Sequence, residues 1–206
     1  MPTKIGLLSD VHATVEPLRE AITLFKKSNV SKIICAGDIA GYGEELLETV
    51  KLLQANNVLV VRGNHEEWYL ENEGEDEVVR GYFDQLPVYR ELTVENKTIY
   101  LVHAHPPDGI MGGMKLLDMT GQIIEDELDK WSESIKKIKS DVLIVGHTHQ
   151  VFSVNINDTL VINPGSSKYN NSCAILELPE MIVNWYPLAG KRIESVWNWS
   201  SQFRNN

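Results

Sequence analysis

Residues 142–145, V-L-I-V, run straight into Gly146-His147-Thr148-His149. A short, uninterrupted apolar run of this kind reads as a buried strand. The glycine ends it, and two imidazoles follow at a spacing of two. With the backbone extended past Gly146, His147 and His149 would project to the same side. Each could then serve one metal of an adjacent pair. Taken alone, the motif is read equally well as a loop with two solvated histidines.

The pattern recurs along the chain. Each of the six histidines (His12, His65, His103, His105, His147 and His149) follows a strand-like apolar run and lies close to Gly, Asp or Asn. His12 closes S-D-V-H after residues 4–9. Asp38 follows residues 33–36 in A-G-D-I-A-G. Asn64 and His65 follow residues 58–61 in R-G-N-H-E, and His103 follows residues 99–102 in V-H-A-H-P. Five strand ends thus carry carboxylates, an amide and imidazoles, without a thiolate. That donor set suits a two-metal hydrolytic site.

In order, Asp10-Val11-His12, Gly37-Asp38, Gly63-Asn64-His65-Glu66, the strand-end His103 and Gly146-His147-Thr148-His149 resemble the motifs of the calcineurin-like metallophosphoesterases. Asn163-Pro164-Gly165-Ser166 is similar to the N-P-G-S turn of the small bacterial and archaeal members. The resemblance implies an α/β fold, a four-layer αββα sandwich of two mixed β-sheets flanked by helices. It also implies a site for two divalent metal ions. Asp10, His12 and His149 resemble ligands of the first, and Asn64, His103 and His147 ligands of the second. Two cations about 3.5–4 Å apart need a shared anion, and Asp38 can give one oxygen to each. The nucleophile expected from the resemblance is a hydroxide on the metals, because coordination can lower the pKa of water to about 7. His65 is similar to the imidazole that protonates or orients the leaving oxygen. The neutral amide of Asn64 keeps the negative charge of the site low. The donors suit Mn, Fe, Zn, Ni and Co alike.

Two further residues have open roles. His105 in V-H-A-H-P faces either substrate or solvent, and Ala104 stands where the family usually has glycine. Arg62 contacts either phosphate or solvent. R-G-N-H-E also occurs in serine/threonine protein phosphatases, but those carry G-D-x-V-D-R-G where this chain has Gly37-Asp38-Ile39-Ala40-Gly41-Tyr42-Gly43. The arginine of that motif is missing. The expectation is therefore hydrolysis of a small phosphoester, in the first place a phosphodiester. The alternatives are a phosphomonoesterase or nuclease using the same site, and a non-catalytic protein-binding scaffold on the same fold, like the retromer subunit. A scaffold is free to lose His65 or a ligand, and this chain keeps every motif residue.

The chain in order supports this frame. Residues 4–9, 31–36 and 57–61 read as strands, with helices between them marked by Leu18, Ala21, Ile22 and Phe25 and by Leu46, Leu47, Val50 and Leu53. That β-α-β-α-β start predicts a parallel sheet, whose strand ends at the carbonyl side hold ligands. Residues 66–86 read as helical around a break at Gly74. Residues 88–94 and 97–102 flank a turn at Glu95-Asn96. Residues 104–113, rich in Gly, Pro and Met, read as a mobile loop. Residues 123–138 read as a helix with Ile124, Leu128, Trp131 and Ile135 on one face. Residues 151–156, 159–162, 173–178 and 181–186 read as a run of antiparallel strands.

With no linker or repeat, residues 1–206 are expected to form a single domain. The net charge of −10 disfavours a long nucleic acid, which needs a basic stripe. Seven acids between Glu66 and Glu77 (Glu66, Glu67, Glu71, Glu73, Glu75, Asp76 and Glu77) read as a solvated helix-loop face. Cys35 and Cys173 lie in apolar runs and read as core residues rather than a disulfide. No leader or membrane-spanning run is seen, so a cytoplasmic protein with no membrane partner is expected, and the two glycosylation sequons carry little meaning. The tail aromatics Trp185, Tyr186, Trp197, Trp199 and Phe203 read as edge and surface packing in preference to a subunit interface, with a homo-oligomer left open.

Overall fold

The computed structural model describes residues 2–72 and 76–198. Gly74, Trp199 and Phe203, and most of the second sequon, lie outside the described residues. Among the described residues, ten strands build two five-stranded sheets. In the first, β1 (Thr3–Leu8), β2 (Lys32–Cys35) and β3 (Leu59–Val60) are parallel. Two later strands, β9 (Ser172–Leu178) and β10 (Ile182–Pro187), extend it antiparallel, in the order β10-β9-β1-β2-β3. The second sheet holds β4 (Tyr89–Val94), β5 (Lys97–Val102), β6 (Val142–Ile144), β7 (Val151–Ile156) and β8 (Thr159–Pro164), in the order β4-β5-β6-β8-β7. Here β5, β6 and β8 are parallel, and β4 and β7 are antiparallel edges.

Side-chain alternation explains the stacking. Ile5 and Leu7 of β1, Ile34 of β2, Ile99 and Leu101 of β5, Val142 and Ile144 of β6, and Ala174 and Leu176 of β9 fill a core between the two sheets. The opposite faces supply Cys35, Cys173 and Ile175 on one side and Tyr100, Leu143 and Val161 on the other. The first group packs against α1 (Val15–Lys27), α2 (Leu46–Ala55) and α4 (Glu77–Asp84). The second packs against α5 (Glu125–Ile138), through buried Ile135 and partly buried Leu128 and Trp131. Sheets buried on both faces need near-continuous apolar runs, which is why the strands show weak polar alternation. The result is the four-layer αββα sandwich. Both cysteines are buried free thiols.

The expectation of a purely antiparallel second half needs correction. β7/β8 and β9/β10 are hairpins, but β8 pairs parallel with β6, and β9 crosses to the other sheet to pair with β1. Turn residues define a hairpin locally, whereas the neighbour on its outer edge is chosen by the core it can bury. The tail aromatics are divided: Trp185 packs on the middle core, Tyr186 on the α1 side, and Trp197 on Tyr169. Among the described residues, no helix is long and apolar enough to cross a membrane.

Candidate metal centre

The carboxyl ends of β1, β2, β3, β5 and β6 lead into the five loops that carry Asp10 and His12, Asp38, Asn64, His103, and His147 and His149. The first two loops are laced together by backbone bonds from Asp10 N–H to Gly37 (3.0 Å) and His12 N–H to the Asp38 carbonyl (3.0 Å). Ser166 of the N-P-G-S turn donates its hydroxyl to the Asp10 carbonyl at 2.6 Å. Asp10 (φ 51°), His12 (49°), Asp38 (52°), His147 (66°) and His149 (49°) all take left-handed backbone. Asp and His tolerate this region better than most residues, yet each instance costs about 1–3 kcal/mol and persists only where the surroundings impose it.

These dihedrals correct the expectation of extended backbone after Gly146. His147 and His149 sit on a turn, with Thr148 N–H bonded to the Gly146 carbonyl at 2.7 Å. The two imidazoles reach different groups of donors. His149 Nε2 lies 3.0 Å from His12 Nε2 and 3.4 Å from Asp10 Oδ1. His147 Nδ1 lies 2.8 Å from Asn64 Oδ1 and 3.3 Å from His103 Nε2. Asp38 Oδ1 stands 3.3 Å from His103 Nε2, and Asn64 Oδ1 3.1 Å from the same nitrogen. The donor atoms of Asp10, His12 and His149 lie within 4.8 Å of one another, as do those of Asp38, His103 and His147. His12, Asp38 and His65 form a third such group, so Asp38 belongs to two groups and His65 stands beside them, 3.9 Å from Asp38 Oδ2.

The surroundings prepare these atoms for a cation. His12 donates Nδ1–H to the Ala40 carbonyl at 3.0 Å, and His103 donates its own to the Ala36 carbonyl at 2.6 Å. In each ring this directs Nε2 into the cluster, the usual way a protein orients an imidazole ligand. Burial, first of all, pushes His12 and His147 down to about 4, so both are neutral with lone pairs available near pH 7. Burial opposes the charge on His103 as well, but Asp38, through charge and hydrogen bond, and Asp10 outweigh it and raise the group to about 9. Burial likewise opposes ionisation of Asp10, and His149, His103 and His12 outweigh it and hold the carboxyl well below its usual range. Buried carboxylates, neutral imidazoles and an amide oxygen, converging with no thiolate, fit hard or borderline divalent metal ions.

Glu66 is a residue that sequence reasoning misplaced. Counted among the solvated acids, it is fully buried. Its carboxylate accepts from the backbone N–H groups of Gly63 (2.8 Å), Asp38 (2.9 Å) and Ala40 (2.8 Å). It therefore ties the Asp38 loop to the start of α3 (Asn64–Glu71). A signal was present: Glu66 is the third residue of that helix, from which a Glu reaches back to the residue before the helix. Burial, then the charge of Asp38, push it up to about 7. Gly63 is required beside it, because a Cβ there would stand 2.3 Å from Asp38 Oδ1. Asp38 Oδ1 also accepts the His65 N–H at 3.0 Å, at the positive end of α3.

Two sequence candidates stay outside this gathering. Arg62 donates to Glu67 (3.0 Å) and to the carbonyls of Phe83 and Asp84 (3.2 Å each), which ties α3 to the end of α4. His105 bonds to the Pro106 carbonyl and packs on Trp131 at 5.3 Å between centroids.

The family model described as the calcineurin-like phosphoesterase superfamily domain matches residues 3–180. An uncharacterised protein of Methanocaldococcus jannaschii is 27% identical over 179 residues, covering 78% of this chain and 68% of that protein. A phosphodiesterase of the same organism is 26% identical over 169 residues, covering 79% of this chain and 82% of that protein. Among solved structures, a novel archaeal phosphodiesterase superposes with a TM-score of 0.60 at 23% identity, covering 90% of this chain and 100% of its own.

Proposed function

This chain belongs to the calcineurin-like phosphoesterase superfamily and is a metallophosphoesterase, and from that premise we propose that it hydrolyses a small phosphodiester with two divalent metal ions held at its strand-end cluster. The observation that carries the reading is the pair of donor groups with Asp38 at their junction. Asp10, His12 and His149 would hold one ion, Asn64, His103 and His147 the other, and Asp38 both. Such ions supply Lewis acidity toward a phosphoryl group and lower the pKa of water to about 7. The donors suit Mn, Fe, Zn, Ni and Co.

The chain's own residues supply the rest. Glu66 and the N-terminus of α3 keep Asp38 in place. His65, beside Asp38 and not needed to complete either set of three, is positioned to give a proton to the leaving oxygen. The net charge of −10 favours a small substrate over a long nucleic acid. The middle core shared by both sheets supports residues 1–206 acting as one domain. The two buried thiols fit a reducing, cytoplasmic setting.

The test combines metal analysis with hydrolysis of bis(4-nitrophenyl) phosphate. Protein saturated with each metal in turn should carry close to two ions per chain, on the order expected for such clamps. Asp38→Asn should lower both metal content and turnover. Absence of bound metal with every cation would overturn the proposal and leave the scaffold role.

A further inference from the structure

Two partly exposed aromatic rings pack against His65, the residue to which the proposed function assigns the leaving group. Tyr42, on the loop after β2, and Trp68, on α3, each lie 4.8 Å from the His65 ring, with planes inclined at 63° and 65°. The His65 side chain is only 13% exposed, whereas Tyr42 and Trp68 are 54% and 42% exposed. The His65 ring is thus largely covered, with both of these partly exposed rings packed against it. Tyr42 also touches His12 at 4.9 Å, so this wall begins at the ligands and runs outward along α3. Both rings are partly exposed and stand beside the polar cluster.

We propose that Tyr42 and Trp68 form a slot selecting phosphodiesters whose leaving alcohol carries a planar ring. The proposal rests on the phosphodiesterase reading above. An alkoxide departing toward His65 takes its proton from that imidazole, so the carbon skeleton attached to it lies against Tyr42 and Trp68. A flat, polarisable ring there gains stacking and edge contacts that an aliphatic chain does not. The shared chemistry is a planar π-system close to the ester oxygen, from an aryl alcohol or a nucleoside.

The experiment compares three diesters with alkoxide leaving groups: benzyl methyl phosphate, the methyl ester of adenosine 5′-phosphate, and propyl methyl phosphate. The demand for a proton is similar in all three, so the ring is the variable. The metal-loaded enzyme should favour the two ring-bearing esters by about tenfold in kcat/KM, the size of one aromatic stacking contact. Trp68→Ala should remove the preference and Trp68→Phe should keep most of it. Adenosyl above benzyl assigns the slot to nucleosides, and the reverse assigns it to aryl alcohols. Equal loss on all three esters in Trp68→Ala would overturn the proposal, because the ring would then only steady His65.

If no diester is turned over with any metal, the phosphodiesterase reading has failed and binding alone judges the slot. Adenosine is titrated into the metal-free protein, and the Trp68 indole N–H is followed by NMR, identified through its loss in Trp68→Phe. A saturating movement supports the slot. No movement up to the solubility of adenosine overturns it.

Discussion

His12 Nε2 and His149 Nε2 face each other at 3.0 Å across 137 residues of chain. One nitrogen comes from the loop after β1 in the first sheet and the other from the loop after β6 in the second. Two imidazole nitrogens at that distance can share one proton, and under the proposed function one cation would satisfy both. The contact thus joins a loop of the first sheet to a loop of the second within the candidate metal centre.

His149→Ala removes one donor from the set formed with Asp10 and His12. Metal content should fall from about two ions to about one per chain, with the second set retained. Elemental analysis after dialysis reads this directly. Retention of both ions would show that His149 is not a ligand.

Metal binding near neutral pH should release a proton from His103. That group, at about 9, is protonated at pH 7, while His12 and His147, at about 4, are not. Apparent affinity should therefore rise with pH up to about 9 and then level. Calorimetric binding enthalpies in buffers of different ionisation enthalpy measure the proton count. No buffer dependence would reject the assignment.

The metal-free protein should be most stable near the ordinary histidine pKa. His103 is raised, so its contribution is complete below about 6.5 and is lost as pH rises through about 9. His12 and His147 are depressed, so their contribution is present above about 6.5 and is lost as pH falls toward about 4. Glu66, raised to about 7, loses its contribution as pH rises from about 4.5 to about 7, so it partly offsets the two histidines on the acid side. Urea midpoints measured across this range with chelator present should show a maximum. A monotonic profile would contradict it.

His65→Ala should keep both ions and discriminate between leaving groups. A nitrophenolate leaves with little help, whereas an alkoxide needs a proton, a contribution of about 10²–10⁴-fold. Loss should be modest on nitrophenyl esters and large on alkyl diesters. Burial holds His65 below its ordinary pKa, so its acid form grows as pH falls from neutrality. Gly41→Ala should imitate the variant: Gly41 has φ 93°, and a Cβ there would lie 2.2 Å from His65 Nδ1. Equal losses on both ester classes would remove the acid role.

Glu66→Gln replaces an acceptor of three backbone N–H groups with an amide that offers one oxygen. Some donors at Gly63, Asp38 or Ala40 then lose their partner, at a cost of about 1–3 kcal/mol. The denaturation midpoint should fall, and metal affinity should drop by about 10–100-fold as Asp38 loosens. Unchanged affinity would make Glu66 a purely architectural residue.

Much of the fold is legible because burial leaves a local trace. The apolar runs that became β1, β2, β5, β6 and β9 had to be apolar on both faces, and Pro17, Leu18, Ala21, Ile22 and Phe25 record the start and buried face of α1. The turn at Glu95-Asn96 is legible for a different reason: both residues take positive φ, which Asn in particular accepts. The donor types at the strand ends are equally local, since metal chemistry restricts them to a few side chains.

What the sequence by itself determined is the inventory: which runs form strands, which residues end them, and that oxygen and nitrogen donors gather without sulfur. Tertiary structure decided the rest. It sent β9 to pair with β1, turned His147 and His149 toward different donor groups through left-handed backbone, buried Glu66, and spent Arg62 on Glu67 and the carbonyls at the end of α4. The physical reason is range. Periodicity and turn chemistry act within a few residues, whereas burial, hydrogen-bond partners and the direction of a side chain depend on groups that only the packing of two sheets brings within 3 to 4 Å, as with His12 and His149.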